Sequence, residues 1–214
     1  MKKSLLLAAS ALSLTLISGG VLAAPADQPG HQSPAPGTNN ETVSAVKDAT
    51  AGVVGEVSAQ MTSTARGFVT AAATSDMYEV EAGKIAEDRS RSADVKAFAK
   101  KMVKAHTETT DQVKAILAQG TVDAAPPAHL DDRRQGMIDD LRGASAADFD
   151  TRYLSQQVAA HNEALILMQG YAKDGDVIAL KKFAAATAPV VQDHLNMAED
   201  LQKQNDAMLK KAGR

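Results

Sequence analysis

Apolar residues recur at alternating intervals of three and four along four long segments of this sequence, a spacing that places them on one side of an α-helix. We name these segments A (67–88), B (93–119), C (148–174) and D (177–205). The strict alternation that marks a half-buried strand is missing from the whole sequence. The pattern therefore predicts an all-α protein in which four long helices bury their apolar sides against one another.

The breaks between the segments indicate how the helices are connected. Segments A and B are separated by only a few residues, as are C and D, so each pair is predicted to form a hairpin, with Ser92 as the N-cap of B. Between B and C, Gly120 and the prolines Pro126 and Pro127 interrupt the chain, and a shorter helical pattern follows at residues 129–142. Two hairpins joined by about 28 residues predict a ferritin-like four-helix bundle whose long B–C connection contains a short helix.

The regions outside the four segments have their own patterns. Residues 1–23 have the charged start, apolar core and small-residue cleavage site of a secretory signal peptide. Residues 24–40 contain four of the seven prolines and are predicted to be a disordered tether. Residues 41–64 have a narrow apolar seam, which predicts an extra N-terminal amphipathic helix. The bundle is then expected at residues 65–206, followed by a C-terminal tail at 207–214.

Composition excludes several functions. The chain has no cysteine, which excludes thiol catalysis and thiolate metal sites, and an exported domain without disulfides is typical of the bacterial periplasm. The formal charge is −3, and loss of the signal peptide would remove Lys2 and Lys3 but no acidic residue. Such a chain is a poor partner for nucleic acid, because phosphate binding requires a basic surface. The expected location is periplasmic or secreted, with outer-membrane association as an alternative, and no transmembrane segment is expected in the mature chain.

Three of the four segments carry a histidine on the apolar side, each three residues after a valine. The pairs are Val103 and His106 in B, Val158 and His161 in C, and Val191 and His194 in D. At about 1.5 Å per residue, Glu79 of segment A, His106 and His161 fall near mid-height of the bundle. His194 is expected one to two turns away, at a level that depends on a kink at Pro189.

These side chains support different interpretations. They suit a single Zn, Cu or Ni ion, because those metals favour nitrogen ligands. The candidate ligands are Glu79, His106, His161 and His194. A ferritin-type di-iron centre is disfavoured, because it requires glutamates where this chain has Val103 and Val191. Alternatively, the histidines are core residues hydrogen-bonded across the bundle, with Glu79 among their partners, since a buried polar group without a partner is costly. A pH-sensing role for the histidines is a third interpretation.

Three motifs resemble one known family. They are Tyr78-Glu-Val-Glu-Ala-Gly-Lys-Ile-Ala86 in A, the run from Asp94 to His106 in B, and Phe149-Asp followed by Tyr153 and His161 in C. Residues 67 to 203 are similar to the bacterial domain-of-unknown-function family 4142. The resemblance implies an exported protein with a ferritin-like helical bundle, and it implies no reaction. The family-pattern positions that it carries onto this chain are Glu79, Gly83, His106, His161 and His194.

The sequence favours a non-enzymatic, exported helical bundle that acts in the bacterial cell envelope, without catalytic residues or a cofactor. Its expected partner is an envelope protein or a second copy of the chain. The alternative is a mononuclear metal-binding protein that holds a single Zn, Cu or Ni ion with histidine and glutamate side chains inside the bundle.

Overall fold

The computed structural model describes residues 62–213, which form five α-helices joined by turns and loops. The helices are α1 (Ala65–Arg89), α2 (Ala93–Leu117), α3 (Asp132–Gly143), α4 (Phe149–Asp174) and α5 (Ile178–Lys211). They correspond in order to segment A, segment B, the short helix of the connection, segment C and segment D. No strand occurs within this range, so the predicted all-α class is confirmed.

Part of the prediction concerns residues that the structure does not describe. The signal peptide (1–23), the tether (24–40) and residues 41–61 of the N-terminal helix lie outside the described residues. Residues 62–64, the last three of that predicted helix, are described and are not helical. Instead, Thr64 is the N-cap of α1, with its side chain accepting a hydrogen bond from the main-chain N–H of Gly67.

The four long helices form a bundle in which each packs against two neighbours. Three residues join α1 to α2, and three join α4 to α5, so each pair is an antiparallel hairpin. The hairpins pack with α1 against α4 and α2 against α5. Phe68 near the start of α1 stacks on Tyr171 near the end of α4, and Tyr78 further along α1 donates a hydrogen bond to Gln156 near the start of α4. Neighbouring helices therefore run in opposite directions.

Helix α3 lies on the connection between the hairpins. Because α2 and α4 run in the same direction, the chain has to return along the bundle between them. Arg89 at the end of α1 donates hydrogen bonds to three main-chain carbonyl oxygens at residues 141–144, where α3 ends. Arg134 of α3 is buried, with its guanidinium 4.9 Å from the centre of the Tyr78 ring and 3.0 Å from Glu163 of α4. These contacts attach the connection to α1 and α4.

Side-chain caps explain where several helices begin. Ser92 accepts a hydrogen bond from the N–H of Val95, as predicted, and Asp131 accepts one from the N–H of Arg134. Each cap satisfies a donor that the helix leaves unpaired, which contributes about 1 kcal/mol. The end of α5 differs from the expected boundary at residue 205, because good helix formers continue the helix to Lys211 after the apolar stripe has stopped.

Gly83 allows α1 and α2 to approach each other closely. A Cβ atom at this position would lie 2.6 Å from Cγ2 of Val103 and 3.1 Å from the carbonyl oxygen of Ala99. Only glycine fits this contact without a shift of the neighbouring helix. This contact also gives a packing role to Val103, one of the three valines that stand three residues before a histidine. Its side chain packs into the space left by the missing side chain of Gly83.

The buried apolar side chains form two clusters that are separated along the bundle. In α4, the first cluster extends to Ala160 and the second begins at Ala164. His161 lies between them. The same level contains a layer of buried polar side chains from all four long helices, namely Asp76, Glu79, His106, Gln157, His161 and His194. The fold therefore places its polar groups together in the middle of an otherwise apolar core.

Candidate metal centre

Three histidines from three helices meet in this polar layer. They are His106 of α2, His161 of α4 and His194 of α5, and their exposed fractions are 5%, 1% and 3%. The centres of the three rings lie 5.6 to 5.9 Å apart. One ring nitrogen from each residue lies within 4.8 Å of the other two. The arrangement thus provides three imidazole nitrogens around one point.

Each ring has a buried nitrogen without a hydrogen-bond partner among the described residues. These atoms are Nε2 of His106, Nε2 of His161 and Nδ1 of His194. A buried polar atom left unpaired costs about 1–3 kcal/mol, so three in one place are a substantial cost. Within residues 62–213 the rings form no hydrogen bonds with one another. The interpretation that they satisfy each other across the core therefore does not account for these atoms.

Asp76 of α1 orients the ring of His106. Its Oδ1 lies 2.8 Å from Nδ1 of His106, and its Oδ2 accepts a hydrogen bond of 3.1 Å from the hydroxyl of Thr110. A carboxylate only accepts, so the shared proton is on Nδ1, and Nε2 of neutral His106 carries the free lone pair. A carboxylate behind a histidine is the arrangement that typically orients metal-binding imidazoles in proteins.

A main-chain carbonyl orients His161 in the same way. Nδ1 of His161 donates to the carbonyl oxygen of Gln157, one turn earlier in α4, at 2.9 Å. Nε2 of the neutral ring is therefore the lone-pair nitrogen. Glu79 lies on the Nδ1 side of this ring, with Oε1 3.9 Å from Nδ1 and Oε2 accepting a hydrogen bond of 2.8 Å from the side chain of Gln157. Glu79 thus supports His161 from behind and is not one of the three converging groups.

Burial determines the protonation of two of the three rings. Burial, with the charge of His106 as the next cause, lowers the pKa of His161 to about 3. Burial, followed by the charges of His161 and His106, lowers the pKa of His194 to about 3. Both rings are therefore neutral at pH 7, which is the form that binds metal ions.

The pKa values of His106 and Glu79 are raised, in contrast to those of His161 and His194. Burial acts to lower the pKa of His106, but the hydrogen bond that this ring donates to Asp76 and the charges of Glu79 and Asp76 outweigh it, so this pKa is raised. Burial also raises the pKa of the Glu79 carboxyl. A metal ion would therefore compete with a proton at His106, while the lone pairs of His161 and His194 are already available.

Comparison with known families agrees with the resemblance seen in the motifs. The family model described as Domain of unknown function (DUF4142) matches residues 49–201, which is more than half of the chain. The chain belongs to this family. The match begins at residue 49, within the predicted N-terminal helix, so the DUF4142 unit extends beyond the described residues. No curated protein and no solved structure matches the chain.

The structure changes the membership of the candidate site in this DUF4142 protein. His106 and His161 lie together as expected. His194, which was expected one to two turns away, is the third member, and Glu79, which was expected at the same level, lies outside the group. The reason is that Cβ atoms point towards the start of their helix, so side chains on antiparallel helices lean in opposite directions. The side chains of His161 and His194 lean towards each other. Their rings therefore lie closer together than the rise per residue of the two helices predicts.

Asp76 is the residue of the site that was not predicted from the sequence. It lies three residues before Glu79, on the same face of α1, and it is 6% exposed. The sequence does contain a signal for Asp76. An aspartate on the apolar face of a helix, one turn from a glutamate on the same face, is expected to be buried with a polar partner.

The carboxylates needed for a di-iron centre do not converge here. The only group of three or more candidate ligands in residues 62–213 is the histidine trio. Glu81 points elsewhere and accepts a hydrogen bond of 2.6 Å from Arg142. Val191 is buried beside the site, and Val103 packs against Gly83. His129 is exposed and lies outside the trio.

A pocket of about 280 Å³ leads from the surface to two of the three histidines, His106 and His194. Its inner end is lined by Asp76, His106 and His194, and its outer end by residues that include Glu108 and Val190. The inner three side chains are buried, whereas Glu108 and Val190 are exposed. The pocket therefore extends from the surface of the bundle to the edge of the histidine trio.

None of the helices within residues 62–213 has the length and apolar character that are needed to cross a membrane.

Proposed function

We propose that this DUF4142 protein binds a single transition-metal ion, with His106, His161 and His194 as the protein ligands. The observation that carries the proposal is the convergence of three buried imidazole rings, with one nitrogen of each within 4.8 Å of the other two. Each of these rings also has a buried nitrogen without a partner among the described residues. A metal ion at their centre would satisfy all three at once. The role we propose is binding, and we assign no reaction to the site.

The distances are compatible with coordination after a small adjustment. Three atoms separated by at most 4.8 Å lie within about 2.8 Å of a common centre. Bonds from zinc to imidazole nitrogen are about 2.0–2.1 Å long, so each ring would need to move inwards by roughly 0.7 Å. A shift of that size lies within the reach of small side-chain rotations. The hydrogen bonds that Asp76 and Gln157 make with two of the rings also favour the required orientation.

The ligand set indicates which metals are suitable. Three imidazoles without a thiolate suit Zn²⁺, Cu²⁺ and Ni²⁺, and Cu²⁺ is expected to bind most tightly of the three. Asp76 and Glu79 lie behind two of the rings and supply negative charge close to the ion. Glu79, a ligand in the interpretation of the sequence, is therefore proposed to support His161 instead.

We favour metal binding over a purely structural role for the histidines because of the unpaired nitrogens. Unpaired buried polar atoms also occur elsewhere in the described chain, for example the hydroxyl of Tyr153, but only in this layer do unpaired nitrogens belong to three rings that converge. A bound metal ion would give these ring nitrogens a partner, so their burial would no longer be costly. The proposal remains compatible with a non-enzymatic protein of the bacterial cell envelope.

We also propose that the bundle is ferritin-like and that the protein is exported. The first part is supported by two antiparallel hairpins joined by a connection that contains α3. The second is supported by the pattern of residues 1–23 and by the lack of cysteine. N-terminal sequencing of protein released from the periplasm is expected to begin at Ala24, and an N-terminus that still starts at Met1 would contradict export.

Metal titration of the full chain tests the proposed binding. After removal of bound metal with a chelator, calorimetric titration with Zn²⁺ or Cu²⁺ at pH 7 is expected to give one ion per chain. His106→Ala and His194→Ala should each weaken binding at least 100-fold. His129→Ala is the matched control, because His129 is exposed and lies outside the trio. Absence of stoichiometric binding, or an equal loss in the His129 variant, would overturn the proposal.

A further inference from the structure

The pocket beside the histidines is too large and too apolar to serve only as an entry path for a bare ion. A water molecule occupies about 30 Å³ of the liquid, whereas this pocket has a volume of about 280 Å³. Its walls include Ala72 of α1, three residues of α4 and Val191 of α5. The residues from α4 are Ala164, Leu167 and Met168. A dry cavity of about 150 Å³ holds a benzene molecule, so this pocket has room for a compact apolar body of similar or somewhat larger size.

The histidine trio leaves room for one more ligand at a bound metal. Three protein ligands are the number found in catalytic and ligand-binding zinc sites, where water or an exogenous molecule takes the fourth position. The described part of the chain provides no fourth ligand within the group. The pocket ends at His106 and His194, so a molecule that enters it comes next to two of the three proposed ligand residues.

The charges around the pocket determine which head group fits. The residues that line it include Asp76 and Glu108, but neither Lys nor Arg. Apart from His106, an anion in the metal-free pocket would therefore meet only neutral or negative groups. With a dication held by neutral imidazoles, a head group bound directly to the ion is about 2 Å from a charge of +2. The Asp76 carboxylate reduces this charge only from a distance, because the His106 ring separates it from the ion. Because attraction falls with distance, the ion dominates, and an anion binds best.

We propose that the pocket holds a small monoanion with a compact apolar body, of the class of aromatic or short aliphatic carboxylates, as the fourth ligand of the metal. This inference rests on the proposed metal site and adds its ligand class. The head group would coordinate the ion between His106 and His194. The apolar body would pack against the aliphatic walls of the pocket. Binding therefore requires the metal, and it depends on the volume of the pocket as well as on the ion.

Cobalt(II) provides a visible spectrum with which to test the inference. The full chain is loaded with one Co²⁺ and titrated with three anions. Benzoate has an anionic head group and an apolar body, acetate has a carboxylate with only a methyl group, and azide has only the anionic head. Benzoate and azide are expected to change the cobalt absorption bands, and benzoate should bind at least tenfold more tightly than acetate. Metal-free protein should show no benzoate binding by calorimetry.

A variant that fills the pocket separates the apolar body from the head group. Ala164 is buried in the pocket wall, and Ala164→Leu adds three carbon atoms there. This variant should bind Co²⁺ within threefold of the wild type and azide almost unchanged, but it should bind benzoate at least tenfold more weakly. Ala115→Leu is the matched control, because Ala115 is exposed and does not line the pocket. It should behave like the wild type.

The outcomes distinguish failure of the ligand from failure of the metal site. If the chain binds no Co²⁺, Zn²⁺ or Cu²⁺, the metal site is wrong and the ligand proposal falls with it. Stoichiometric Co²⁺ with spectra that benzoate does not change would overturn the ligand proposal alone. An azide response without a benzoate response, or benzoate binding that is equal in the Ala164→Leu variant, would also overturn it.

Discussion

Asp76 and His106 form a buried carboxylate–imidazole pair across the α1–α2 contact, with Oδ1 and Nδ1 2.8 Å apart. Both residues are more than nine-tenths buried. Asp76 orients His106 as the carbonyl of Gln157 orients His161. Each acceptor binds the Nδ1–H of its ring, so the lone pair of Nε2 points away from that acceptor. Two rings on different helices are thereby oriented by unrelated groups towards one point.

Removal of Asp76 is therefore expected to weaken metal binding without removing a ligand. Asp76→Ala should reduce the affinity for Zn²⁺ by about 10- to 100-fold, because the ring of His106 loses both its orientation and its negative partner. Asp76→Asn keeps an acceptor and should have a smaller effect. Thr110→Val, which removes only the hydrogen bond to Oδ2, should be the mildest. Competition with a chromophoric chelator measures all three, and equal affinities in the wild type and Asp76→Ala would contradict the role of the pair.

The stability of the metal-free protein should fall on acidification. His161 and His194 have pKa values of about 3 in the folded chain and about 6.5 when unfolded, so the unfolded state takes up protons first as the pH falls below 6.5. Their contribution is complete above pH 6.5 and is lost towards pH 3. The raised pKa values of His106 and Glu79 act in the opposite direction. On acidification, the two lowered pKa values therefore reduce the stability while the two raised pKa values increase it. A variant is needed to separate the two contributions.

The double variant His161→Gln, His194→Gln isolates this contribution. Between pH 7 and pH 5 in the presence of a chelator, the wild type should lose more stability than the variant by about 1–2 kcal/mol for each histidine. Urea unfolding at the two pH values measures the difference. His129→Gln, at an exposed position, should follow the wild type. Identical acid sensitivity in the wild type and the double variant would show that the two rings are not held neutral by burial.

The sequence was sufficient to predict the helices, because helical periodicity is a local property. The stripes of apolar residues placed α1, α2, α4 and α5 close to their observed positions, and the interruptions at Gly120 and Pro126 marked the long connection. The same periodicity placed the three histidines inside the bundle, where all are buried. Predictions of this kind depend only on residues within a few turns of one another.

The composition of the site depended on the register between helices, which periodicity does not determine. A shift of one turn between α1 and α2 is enough to decide whether Asp76 or Glu79 meets His106. The level of His194 depends on the opposite lean of side chains on antiparallel helices, and on α5, which continues through Pro189 as a single helix. Sequence reasoning therefore predicted the inward histidines, but it did not predict that Glu79 lies outside the group that the three rings form.

Glu79 is expected to reduce the stability of the protein at neutral pH. Its carboxyl is 1% exposed, burial raises its pKa, and Oε1 has no hydrogen-bond partner among the described residues. Glu79→Gln replaces the buried carboxyl with a neutral amide and keeps an oxygen that can accept from Gln157. Stability at pH 7 should therefore be equal to that of the wild type or up to about 1 kcal/mol higher, while metal affinity falls because an amide cannot ionise next to the bound ion.

Glu81→Gln is the matched control for this variant. Glu81 is two residues along the same helix, and its partly exposed carboxylate pairs with Arg142. Loss of this surface pair should change stability by less than about 1 kcal/mol and should leave metal affinity unchanged. Urea unfolding and metal titration of both variants measure the two effects. A fall in the stability of Glu79→Gln by more than 1 kcal/mol, or unchanged metal affinity, would contradict the proposed role of Glu79.

Arg89 is expected to hold the connection between the hairpins in place. Its guanidinium donates hydrogen bonds to the carbonyl oxygens of Leu141, Arg142 and Ala144, and it lies 4.9 Å from the centre of the Phe149 ring. The carbonyl groups at the end of α3 have no further helical turn to bond with, so a positive charge there is favourable. Arg89→Ala should destabilise the protein by about 2–3 kcal/mol, since hydrogen bonds from a charged group contribute more than neutral ones.

The loss of stability in Arg89→Ala should be concentrated in α3, because the four long helices retain their contacts with one another. Hydrogen exchange should accelerate most at the amides of α3 and the residues that follow it, whereas amides around His106 and His161 keep their protection. Arg89→Lys should recover only part of the stability, because an ammonium group does not reproduce the planar fork that reaches several carbonyl oxygens. Arg91→Ala, at an exposed position two residues away, is the control and should behave like the wild type. Uniform acceleration across all helices would instead mean that Arg89 stabilises the bundle as a whole and that the connection does not open separately.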